Sequence, residues 1–120
     1  MPHLLIEFSE NLTPFDPAAC LAAANAALVA SGHFEEVDIK SRAYCAATFR
    51  IGSQATGRAF LAARLSLLSG RSLETKQALS RRVLQALQGQ LPSVNGLTTQ
   101  VSVEVVDIDR DTYTKAVIGS

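Results

Sequence analysis

Ala59-Phe60-Leu61-Ala62-Ala63-Arg64-Leu65-Ser66-Leu67-Leu68, followed by Ser69-Gly70-Arg71-Ser72, reads as a strand that turns sharply into a helix. The apolar run has the composition of a strand in a sheet core, and the four residues after it supply a turn and a helix cap. The helix from Leu73 to about Gln90 is capped by Ser72 and carries Glu74 in its first turn, where an acid suits the helix dipole. Leu79, Val83, Ala86 and Leu87 form its apolar face. Gly89, Pro92 and Gly96 break the pattern, and Val101, Val103 and Val105 alternate with Ser102 and Glu104 in a last strand. Asp107 to Ile118 reads as a short tail, with an extra strand for subunit contact as one possibility.

The first half of the chain has the same order. His3 to Phe8 is a nearly continuous apolar run, the pattern of a strand covered on both faces. Asp16 can cap a helix that has Pro17 in its first turn, Leu21, Ala24 and Leu28 on one face, and Gly32 at its end. From Val37 the period changes to two, with Val37, Ile39, Ser41, Ala43 and Cys45 on one side and Asp38, Lys40, Arg42 and Tyr44 on the other. That strand is expected to run on, as a long strand or hairpin, towards Arg50, with Gly52 and Gly57 in the connection. Strand starts at Leu4 and Phe60, and helix starts at Pro17 and Leu73, are each 56 residues apart. Two right-handed β-α-β units therefore predict an α/β (α+β) fold, a four-stranded sheet with two helices on one face. The expectation is a single domain, 1–120, with halves of about 1–56 and 57–120. The other sheet face stays bare in one chain, so an oligomer is expected to cover it.

Composition narrows the function. The 120 residues carry 11 basic and 11 acidic side chains, a formal net charge of zero that provides no overall field for nucleic acid or an anionic membrane. Cys20 and Cys45 have no metal or redox spacing and read as reduced core residues. Ala18 to Ala30 is too short to span a bilayer, and no targeting segment is seen. A cytoplasmic, metal-free protein is expected.

Chemistry is sought at the opening Met1-Pro2-His3-Leu4-Leu5-Ile6-Glu7. An initiator methionine before a small residue is commonly removed, and Pro2 would then carry a free secondary amine. A free α-amino group has a pKa of about 7.7 to 8.0, and burial lowers it, which suits a general base near neutrality. The competing reading is a proline that merely precedes an edge strand, where its missing N–H costs nothing. Arg71 lies where helix geometry already favours anions and could clamp a carboxylate, or it could be a solvated corner residue paired with Glu74. Lys40 and Arg42, two apart on a strand, stand about 6.6 Å from each other on one face and form a small cationic pair. Arg58, Arg64, Arg81 and Arg82 read as surface or interface charges, His33 as a surface loop residue, and His3 is given no role.

The opening Pro2 to Glu7, the segment Ile39-Lys40-Ser41-Arg42, and Gly70-Arg71-Ser72-Leu73-Glu74 with Gln77 resemble the 5-carboxymethyl-2-hydroxymuconate Δ-isomerase family of the tautomerase superfamily. The resemblance runs over nearly the whole chain. It implies a tautomerase-like β-α-β repeat in a trimeric assembly, with sites near subunit boundaries and no cofactor. It also implies Pro2 as general base and then acid in a 1,3-proton shift from dienol to conjugated ketone. Arg71 takes the part of a carboxylate binder. An arginine usual in the family's second strand falls at Lys40, which keeps the charge but loses the guanidinium fork, while Arg42 matches the pattern. Tyr44-Cys45-Ala46 departs from the family's bulkier, more polar sequence.

Three functions remain in contention. The first is an isomerase for 5-carboxymethyl-2-hydroxymuconate or a similar small unsaturated polycarboxylate, and the second a tautomerase with a different substrate. The third is a non-catalytic trimeric protein that binds a small molecule.

Overall fold

The apolar opening strand becomes the inside of the sheet. In the computed structural model, which describes residues 1–119, β1 (His3–Ser9) lies between β2 (Lys40–Ala46) and β3 (Arg58–Leu68). β4 (Thr98–Ile108) forms the far edge, in the order β2-β1-β3-β4. Within each half the two strands run parallel, and the halves meet antiparallel along β1 and β3, where Leu4 faces Leu65 and Ile6 faces Ala63. The expected pair of β-α-β units is thus present, related by an approximate two-fold at the sheet centre.

α1 (Pro17–Ala30) and α2 (Leu73–Gln88) begin where the sequence places them. The Asp16 carboxylate accepts the Ala19 N–H at 3.1 Å, and the Ser72 hydroxyl accepts the Thr75 N–H at 3.1 Å. Each cap stabilises its helix by about 1 kcal/mol. Past α1, Ser31 closes the last turn and Gly32 takes φ +78°, a left-handed conformation suited to glycine. Cys20, Ala24 and Leu28 of α1 and Leu79, Val83 and Leu87 of α2 join Leu4, Ile6, Leu61, Leu65 and Leu67 in one core. Both helices therefore cover the same sheet face. Burying each leucine there contributes about 1.5–3 kcal/mol relative to exposure.

On the other face Leu5, Glu7, Ala62, Arg64, Ser102 and Glu104 line an open concavity, with Arg64 and Glu104 joined at 2.7 Å. Within one chain β1 is thus covered on only one face. Among the described residues no helix is long and apolar enough to cross a membrane.

Four local expectations are corrected. The alternation from Val37 begins as a 3-10 turn, Glu36–Asp38, that leaves Val37 77% exposed; the chain joins the sheet only at Lys40. β2 stops at Ala46 instead of running towards Arg50, and the connection to β3 holds a small bridge between Ile51 and Gln54. Cys20 is buried as expected, but Cys45 is exposed because it sits near the far end of an edge strand; both thiols are free. The last strand extends to Ile108, and the tail makes a short 3-10 turn, Arg110–Thr112, with no further strand before Gly119.

Candidate active site

Sheet register gathers the candidate residues at one end of the molecule. His3 pairs with Lys40 in the parallel direction and with Ser66 in the antiparallel direction. The chain head therefore lies beside the start of β2 and the end of β3, where Ser69, Gly70 and Arg71 lead into α2. The C-terminal end of α1 reaches the same place, because α1 runs back along the sheet, and it brings Phe34. The segment after β4 arrives there as well, since Ile108 lies opposite Leu68 and its carbonyl accepts the Ser69 N–H at 2.8 Å.

Pro2 is fully buried, and its carbonyl accepts the Lys40 N–H at 3.1 Å. It is thus fixed to the sheet by its backbone, at the head of a central strand and not of an edge strand. The Lys40 ammonium donates to the Asp38 carbonyl at 2.8 Å, and the Lys115 ammonium donates to the Asp38 carboxylate at 2.8 Å. Burial is the main influence that lowers the pKa of the Met1 amine from its ordinary value, and the positive charge of Lys40 adds to it. Asp38 pulls the other way, and Lys115 lowers it further. The Met1 amine is therefore biased towards its neutral form.

Arg71 occupies the corner that follows Gly70, whose φ of +114° allows the sharp turn. Arg110 braces the corner: its Nε donates to the Ser69 carbonyl at 3.0 Å and its N–H to the Ser69 hydroxyl at 3.0 Å. The Arg71 guanidinium does not pair with Glu74. It stacks on the Phe34 ring, 4.8 Å from guanidinium carbon to ring centre, and its buried Nε has no hydrogen-bond partner among the described residues.

Arg42 lies one step further along the sheet, opposite Leu5 on the uncovered face, with its Nη1 3.3 Å from His3 Nδ1. Burial first, and then the charges of Arg42 and Lys40, lower the His3 pKa, which favours the neutral ring. Lys40, Arg71 and Pro2 therefore share one end of the sheet, and Arg42, two residues on from Lys40, lies on the same face of β2 beside His3. The His33 side chain is exposed in the loop after α1, as the sequence implies. The sequence leaves open whether Phe34 lines the site, puts Asp38 only on the charged side of the alternation, and gives no sign of Lys115. Phe34 carries no polar signal, and Asp38 and Lys115 meet only through the fold.

The repeated β-α-β sheet places a buried proline at the head of a central strand, with cations at the same end. The chain belongs to the 5-carboxymethyl-2-hydroxymuconate isomerase family, whose sequence model matches residues 2–118. Two solved structures share its fold closely. A 5-carboxymethyl-2-hydroxymuconate isomerase from Deinococcus radiodurans R1 superposes with a TM-score of 0.87 at 24% identity, over 96% of this chain and 88% of that one. A 5-carboxymethyl-2-hydroxymuconate delta-isomerase gives 0.83 at 22% identity, over 99% and 89%. A fused 4-OT symmetric trimer gives 0.73 at 26% identity, over 95% and 91%. No relative was found among curated protein sequences.

Proposed function

We propose that this isomerase acts without a cofactor on 5-carboxymethyl-2-hydroxymuconate or a similar unsaturated polycarboxylate, with Pro2 as its proton-transfer group. Once Met1 is removed, the secondary amine of Pro2 takes a proton from the dienol and, as the resulting ammonium, returns one to carbon. The substrate leaves as the conjugated ketone with its composition unchanged. Arg71 binds a carboxylate, and Lys40 and Arg42 supply positive charge that stabilises the enolate-like anion between the two transfers. The observation that carries this reading is the buried Pro2 tied to Lys40 at the sheet end where Arg71 Nε has no partner among the described residues.

The bare sheet face, with Leu5 and Ala62 beside charged neighbours, fits assembly as a homotrimer, the state of the fused 4-OT structure that shares the fold. Residues 1–120 act in this reading as one tautomerase-like domain. Lysine at position 40, where the resembling family has arginine, supports a substrate whose carboxylate needs charge more than a planar fork.

The test is ketonisation of 2-hydroxymuconate-type dienols by protein whose intact mass shows Met1 removed, compared with Pro2→Ala. Turnover should fall by at least about 100-fold, the lower range for loss of a general base. Equal turnover by the two would discard the amine mechanism, and a monomeric mass by light scattering at micromolar concentration would discard the trimer.

A further inference from the structure

The lysine at position 40 does not stand alone. Asp38 holds two ammonium groups at once: its carbonyl accepts from Lys40 at 2.8 Å and its carboxylate from Lys115 at 2.8 Å. Lys40 is in turn bonded through its own N–H to the Pro2 carbonyl at 3.1 Å, so the three residues form a bridge from the tail to the head of β1. Each ammonium has three donors. Two lysines against one carboxylate leave an excess of one positive charge beside the chain head. Lys115 and Asp38 are about one-third exposed, at 36% and 34%, so the unused donors can reach an incoming group.

We propose that Lys115, carried by the segment after β4, is a carboxylate-binding residue of the Pro2 site. It works with Lys40 on one end of a dianionic substrate while Asp38 holds both lysines in place. This rests on the reading of Pro2 and Arg71 given above, and it assigns the two ends of the substrate to different cations, Arg71 at one and the lysine pair at the other. Two ammonium groups converging on one carboxylate supply the two donors that a single arginine fork provides elsewhere. The competing account is a strap, in which the Lys115–Asp38 contact only pins the tail. A partly exposed ion pair of that kind contributes little to stability and nothing to ligand choice.

Ligand choice separates the two accounts. Binding of muconate, a linear unsaturated dicarboxylate, and of sorbate, the matching monocarboxylate, is measured by calorimetry on the full chain, on Lys115→Met and on Lys115→Arg. Muconate should bind the unsubstituted protein more tightly than sorbate. Lys115→Met should weaken muconate by about tenfold, at the low end for a charged hydrogen bond, and leave sorbate within about twofold. Lys115→Arg should restore most of the difference. Equal weakening of both ligands, no weakening of either, or no preference for muconate in the unsubstituted protein would overturn the proposal. Turnover by Pro2→Ala is a separate readout. If that variant stays active while muconate preference still depends on Lys115, the base assignment fails and the binding assignment stands.

Discussion

The guanidinium carbon of Arg71 stands 4.8 Å from the centre of the Phe34 ring, so the residue after a strand-to-helix corner is steadied by the loop that ends the other helix. A guanidinium lying on an aromatic face keeps its in-plane N–H groups free for a carboxylate. Arg71→Ala should therefore raise KM strongly, by about tenfold or more, with a smaller change in kcat. Phe34→Leu retains the charge and loses the stacking, worth about 0.5–1 kcal/mol, so KM should rise about two- to fivefold. Unchanged KM in both variants would remove Arg71 from the site.

Lys40 stands beside the chain head, where its charge and its side chain both help to lower the pKa of the Met1 amine. A base works in its neutral form, so in the proposed mechanism kcat/KM should rise with pH through the pKa of the Pro2 amine and level off above it. Lys40→Met removes a neighbouring positive charge that opposes protonation. The acid limb of its pH profile should move to higher pH, and a limb that stays in place would show that the amine does not sense residue 40.

The tail contact has its own pH window. Its hydrogen bond to Lys115 lowers the Asp38 pKa from the ordinary carboxylate value, and the same bond raises that of Lys115. Asp38 thus contributes stability above its unfolded-state pKa and loses it as pH falls through the lower folded value. Lys115 contributes below its unfolded-state pKa and loses it as pH rises through the higher folded one. Because the pair is exposed and weak, cleavage within residues 113–119 should be only modestly slower at neutral pH than in strong acid. Equal cleavage at both, with the protease rate normalised on a free peptide, would contradict the contact.

Leu65 has no exposed surface and pairs with Leu4 at the sheet centre, where the two halves join. Leu65→Ala should destabilise the protein by about 2–5 kcal/mol and lower the urea midpoint. A change under about 1 kcal/mol would mean that the seam between the halves repacks freely.

Much of the fold follows from local pattern. β1, α1, β3 and α2 begin within one or two residues of the positions their apolar runs and caps indicate, because those signals act over one or two turns of chain. β2 was harder to read. Glu36, Val37 and Asp38 alternate like a strand, yet hydrogen bonds from the Asp38 N–H to the Glu35 carbonyl and from the Ile39 N–H to the Glu36 carbonyl coil them into a turn. In the candidate site, Pro2, Lys40 and Arg71 stand out by residue type and position. Phe34 beneath Arg71 and Lys115 on Asp38 are set by tertiary structure, the latter across 77 residues, and no periodicity reports such meetings.

Pro2 is fastened by its carbonyl to Lys40 and buried by its ring, so a nitrogen at its position belongs to the main chain and has no side-chain torsions to freeze. In the proposed mechanism that makes the base rigid without added entropy cost, and it also makes the base impossible to relocate by side-chain substitution. Any residue or purification tag joined ahead of Pro2 turns the amine into an amide, which has no basic lone pair. Lys115 is held at the same end of the sheet by Asp38. For this protein, an affinity handle belongs in the loop between β2 and β3, away from both.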